Sequence, residues 1–123
     1  MASTVKSVVE RAHAAAIERV ATYITDHPEA PHAHQDLADL AAMNKRTFSH
    51  VFLSVMGLGV KAFVRSVRVA RAKYLLEETD LSVAQVMRSS GFASADSGRR
   101  AFLLTEQVAP LHYRSRLRDP GEG

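Results

Sequence analysis

Apolar residues recur three and four positions apart in one window after another, a period that suits helices and argues against strands. Ile17, Val20, Ala21 and Ile24 make one such face, and the pattern extends back through Val9, Val8 and Val5. Leu37, Leu40 and Ala41 make a second, and Phe48, Val51, Phe52 and Val55 a third. Phe63, Val64, Val67, Tyr74 and Leu75 mark a longer one. Val83, Val86 and Met87, then Phe102 and Leu103, mark two more. Between these windows stand residues that stop or start helices: Pro28 and Pro31, Asn44, Gly57 and Gly59, Ser82, Gly91 and Pro110. The spacing predicts an all-α fold of about seven helices.

Their order predicts the architecture. A short helix (Gln35 to Ala42), a tight turn and a second helix (Lys45 to Met56) are followed by a long helix from Val60 to Glu78. At ~1.5 Å per residue this long helix spans roughly 28 Å. The short helix, turn and helix then return, from Val83 and from Ala95 to Glu106, and a last helix runs from Pro110 to about Leu117. This is a weak internal duplication: two helix-turn-helix subdomains joined by a connecting helix. The expected divisions are a helical extension over 1–16, a first subdomain over 17–59, the connector over 60–78, a second subdomain over 79–118 and a disordered tail over 119–123.

Several function classes drop out. The chain has no cysteine, which removes disulfide frameworks and thiolate zinc sites. Lys6, Glu10, Arg11, Glu18 and Arg19 make the first twenty residues too polar for a signal peptide or membrane span, so a cytoplasmic protein without a membrane partner is expected. His27, His32 and His34 lie close together, but loop histidines without carboxylate or thiolate company are read as solvated, and no metal or cofactor is expected. There is no Gly-rich phosphate loop and no carboxylate pair flanked by histidine, so no catalytic residue is assigned and an enzyme is not expected.

Charge points toward nucleic acid through its distribution. The net charge of +3 is a weak signal. Between Asp39 and Glu77, however, there is no acid, while Lys45, Arg46, Lys61, Arg65, Arg68, Arg71 and Lys73 all fall there. A second cluster holds Arg99, Arg100, Arg114, Arg116 and Arg118, with Glu106 the one acid among them. Segregation of this kind suits phosphate backbones. In a helix-turn-helix the second helix faces outward and reads base edges from its N-terminal residues, here Lys45, Arg46, Thr47, Ser49 and His50. Lys61, Arg65 and Arg68 share one face of the connector and are expected at the DNA backbone. Two such units a connector apart would suit successive major grooves, which repeat at roughly 34 Å.

A set of motifs makes this specific. The run from Arg68 through Leu75-Leu76, the stretch Glu77 to Val86, Gly91-Phe92-Ala93-Ser94, Arg100-Ala101-Phe102 and Pro110 to Arg114 follow one another in order. Upstream stand Arg46 to Phe52 and Gly57. Together they resemble the AraC/XylS family of transcription regulators, closest to the branch with a DJ-1/glutamine-amidotransferase-like N-terminal domain. The resemblance covers about Ile17 to Leu117. It implies sequence-specific double-stranded DNA binding, with the second unit's base contacts on Ser94, Asp96, Ser97, Arg99 and Arg100. It implies structural roles for Gly91, Phe92, Pro110, Tyr113 and Arg114. Such domains are commonly joined to a sensing or dimerising domain, and none lies in these 123 residues. A short ligand-free regulator and a part of a larger protein are both open, as are monomer and weak dimer.

The chain also departs from the family pattern. His50 stands where Arg is usual, Met87 where Ala is, Ser90 and Gly98 where apolar residues are, and Gln107 where Gly is. Leu103-Leu104-Thr105 replaces a basic run. Gly98 costs its helix roughly 1 kcal/mol against Ala. Most departures lie in the second half, so the first unit is expected to read sequence more strongly. The alternative function is a protein-interaction module, a partner of RNA polymerase or another regulator, using Leu103, Leu104 and Val108.

Overall fold

The computed structural model describes residues 2–118, with side chains from Lys6 onward. The tail expected at 119–123 lies outside the described residues. Seven helices follow in order: α1 (Ala2–Asp26), α2 (His34–Leu40), α3 (Lys45–Met56), α4 (Val60–Glu78), α5 (Val83–Ser89), α6 (Ala95–Glu106) and α7 (Pro110–Arg118). The fold is all-α, as the apolar period implies. α1 runs unbroken across position 16, where the sequence suggested an extension giving way to a domain.

The described residues form two compact units, one from residues up to 27 together with 31–64, the other from 28–30 together with 65 onward. In unit 1, α1 packs on α2 and α3. Ile17, Val20 and Ile24 of α1, Leu37 and Ala38 of α2, and Phe48 and Phe52 of α3 are all buried. In unit 2, Val69, Ala72, Leu75 and Leu76 of α4 form one core with Val86 and Met87 of α5 and Phe102 of α6. Each large side chain so buried contributes about 1.5–3 kcal/mol.

Each helix-turn-helix is punctuated by hydrogen bonds that satisfy helix ends. The Asn44 side chain accepts from the Thr47 N–H at 2.8 Å. Ser82 and Gln85 form a capping box at the start of α5, and Ser94 and Ser97 form one at the start of α6. In the turns, Ala42 (φ +58°) and Gly91 (φ +103°) take positive φ after α2 and α5. α3 and α6 then end on Gly57 (φ +80°) and Gln107 (φ +59°), whose N–H groups donate to Leu53 and Leu103. Superposing the caps puts Asn44 on Ser94, Phe48 on Gly98, Phe52 on Phe102 and Phe63 on Tyr113, with Ala93 an extra residue in the second turn.

The arginine of α7 completes unit 2. Arg114 donates to the carbonyls of Leu76 (3.2 Å), Thr79 (3.2 Å) and Leu81 (2.6 Å), which the end of α4 and its exit leave without helical partners. Tyr113 donates to the Glu77 carboxylate at 2.5 Å. Burial, that hydrogen bond and the charges of Glu77 and Glu106 push the Tyr113 phenol up to about 12. Pro110 is buried. These are the structural roles the resemblance implies for Pro110, Tyr113 and Arg114.

Candidate nucleic-acid interface

α3 follows its turn with Lys45, Arg46 and His50 all exposed. Thr47 and Ser49 are partly buried, and their surroundings explain why. The Thr47 N–H closes the Asn44 cap. Ser49 Oγ lies 2.9 Å from Nε2 of His34, the first residue of α2, whose ring also packs edge-on against Phe48. Ser49 is therefore tied to the supporting helix. His34 was not legible as a partner: its sequence neighbours made it a loop histidine, and its bond crosses fifteen positions. Among the described residues no group of three or more His, Cys, Asp or Glu side chains is placed to hold a metal.

The start of α3 carries no acid in its first turn. The positive end of the helix and the side chains of Lys45 and Arg46 therefore add to the same field, an arrangement suited to a phosphate.

α6 is arranged differently. Asp96, Arg99 and Arg100 are exposed. Asp96 lies in the first turn, where it offsets the helix dipole, and pairs with Arg100 at 3.4 Å one turn on. Both side chains of that pair are solvated, so the pair adds little stability. Ser94 and Ser97 bond to each other's backbone N–H, and Ser97 Oγ also donates to the Ser94 carbonyl at 3.0 Å. Their oxygens are largely committed to shaping the helix start.

On α4, Lys61 and Arg65 are exposed. Arg68 departs from the expected phosphate role. Its guanidinium donates to the carbonyls of Pro28 (3.0 Å) and Ala30 (2.7 Å), and burial lowers its pKa. Two backbone acceptors outside any helix explain why it turns inward. Other members of the basic clusters are also engaged: Lys73 pairs with Glu106 at 2.9 Å, and Arg118 with Asp80 at 2.8 Å. The sequence reading counted these cations alongside the solvated ones, since charge runs carry no record of partners.

Among the described residues no single helix is long and apolar enough to cross a membrane.

Comparison with known proteins supplies the family. The family described as "Helix-turn-helix domain" matches residues 37–116. A solved DNA-binding domain of AdpA, a global transcriptional factor in complex with a target DNA, is 31% identical. It superposes with a TM-score of 0.79 over 85% of this chain and 96% of that one. An AraC-type regulator from Chromobacterium violaceum, 20% identical, has the same fold at a TM-score of 0.77 over 85% of this chain and 94% of its own. The HTH-type transcriptional regulator Rv1931c of Mycobacterium tuberculosis is 34% identical over 68% of this chain and 32% of its own length. The regulatory protein PocR of Salmonella typhimurium is 28% identical over 87% of this chain and 35% of its own. The chain thus spans about a third of the length of these curated relatives. With a family match across both helix-turn-helix units and a near-complete superposition on a domain above 30% identity, the chain belongs to the helix-turn-helix domain family in its AraC/XylS type, a family of regulator domains rather than enzymes.

Proposed function

We propose that this chain binds double-stranded DNA sequence-specifically and regulates transcription, with α3 and α6 as reading helices in successive major grooves. The observation that carries the reading is the repeated display: two capped twelve-residue helices, each presenting exposed polar residues in its first two turns. Base reading falls to Lys45, Arg46, Thr47 and His50 in α3 and to Asp96, Arg99 and Arg100 in α6. Ser49, Ser94 and Ser97 orient those helices. Lys61 and Arg65 take phosphates. The relative solved with a target DNA supports this, being similar over nearly its whole length. The protein acts in the cytoplasm, beside RNA polymerase or another regulator.

Salt tests the reading. Each neutralised phosphate releases counterions, so log affinity should fall linearly with log salt, by about 0.9 per phosphate. Lys61→Ala should weaken all duplexes alike and lower that slope by about one. Binding that is absent at about 150 mM salt, or insensitive to salt, would exclude phosphate-anchored DNA recognition.

A further inference from the structure

Leu53 and Leu103 occupy the same place in the two reading helices. Each is the carbonyl to which the helix-ending residue donates, from Gly57 at 2.9 Å and from Gln107 at 2.8 Å. Each is 53% exposed. Each also continues the polar face. Leu53 lies three residues beyond His50 and seven beyond Arg46, and Leu103 lies three beyond Arg100 and seven beyond Asp96. Those spacings stack side chains on one side of a helix. The next residues do not match, being Ser54 and Val55 in one helix but Leu104 and Thr105 in the other. Val55 and Leu104 are exposed as well, but they stand at different register positions, and the leucine alone recurs at the same one.

A partner that meets the same register in both units is best matched by a ligand that repeats. Duplex DNA offers the same groove once per turn, whereas a single protein partner has no reason to require one leucine at equivalent positions of two helices. On the floor of the major groove the apolar group is the C5-methyl of thymine. We propose that Leu53 and Leu103 are specificity-determining residues that pack against thymine methyl groups, one in each half of the target. The proposal rests on the DNA reading above and adds the base that each helix prefers at its far end.

The test uses a target recovered by selection from random duplexes. Each thymine is replaced in turn by deoxyuridine, which lacks the methyl and keeps base pairing. One thymine in each half should then weaken binding by about fourfold, the worth of one buried methyl group. Leu53→Ser should abolish that sensitivity in the first half alone, and Leu103→Ser in the second alone, with helicity and melting temperature checked for both variants. The deoxyuridine scan on the unaltered protein needs no folding variant. An enriched motif in which no thymine matters, or sensitivity that survives both substitutions, overturns the proposal while DNA reading stands, and leaves these leucines for a protein contact. No enriched motif at all counts against the DNA reading, and the proposal falls with it.

Discussion

Unit 1 places Phe48 in the first turn of its reading helix and Ala38 on the supporting helix; unit 2 places Gly98 and Met87 in the same two positions. All four are buried. In unit 2 the complementarity is visible directly: a Cβ added to Gly98 would lie 2.7 Å from Met87 Cβ and 2.8 Å from its Cγ and Sδ. Bulk has moved from the reading helix to its support. The left-handed positions are exchanged too. Unit 1 has alanine in the turn (Ala42) and glycine at the end of the reading helix (Gly57). Unit 2 has glycine in the turn (Gly91) and glutamine at the helix end (Gln107). The lesson is that two departures from a family pattern, when they touch, do not add up to decay. Both units keep a filled core and bonded helix ends. What separates them is charge, since α3 opens without an acid and α6 opens with Asp96.

The strongest way to break this comparison is at Gly91. A side chain there would meet φ +103° and a Cβ 2.2 Å from the Pro28 carbonyl oxygen. Gly91→Ala is expected to destabilise by at least about 3 kcal/mol, through backbone strain and overpacking together. Thermal or urea unfolding measures it, and a loss below about 1 kcal/mol would show that the turn relaxes freely.

The exchange of bulk is tested next. Gly98→Ala should gain about 1 kcal/mol of helix propensity yet lose more to crowding against Met87, for a net loss of about 1–2 kcal/mol. In a Met87→Ala background, which removes Cγ and Sδ but leaves the Cβ at 2.7 Å, the same change should cost less than in the unaltered protein, a coupling within the range seen for residues in contact. Additive effects in this double-mutant cycle would mean that the two residues do not compensate. Smallest are the changes that bring each unit closer to glycine at both left-handed positions. Ala42→Gly and Gln107→Gly should each raise stability by about 0.5–1 kcal/mol, because a non-glycine residue held there is strained and that relief exceeds glycine's entropic cost. A fall in melting temperature for either would show that the side chain makes a compensating contact.

Much of this was legible in the sequence, for physical reasons that can be named. Helix period, Asn44 and Ser82 as caps, and Gly57 and Gly91 as stops are local signals, and the helices begin and end within a residue or two of them. α2 ends at Leu40, earlier than expected, because Ala42 turns left-handed, which no local rule assigns to alanine. The site was legible as a set of positions but not as a set of partners. Arg68 was grouped with Lys61 and Arg65 by helical spacing, and its bonds to carbonyls some forty residues away carry no local mark. Met87 and Gly98 were read as two separate losses, since only packing across the turn makes them one solution. The expectation of a weaker second reader therefore rests on the charge of α6 and no longer on its core.

That contrast has a direct test in selection from random duplex DNA at about 150 mM salt, with the unaltered protein, Arg46→Ala and Arg100→Ala run in parallel. The account predicts a motif of two blocks about one helical turn apart. Arg46→Ala should erase the first block and Arg100→Ala the second, with the first block the more sharply defined. A single block that Arg100→Ala leaves unchanged would contradict the claim that both units read bases.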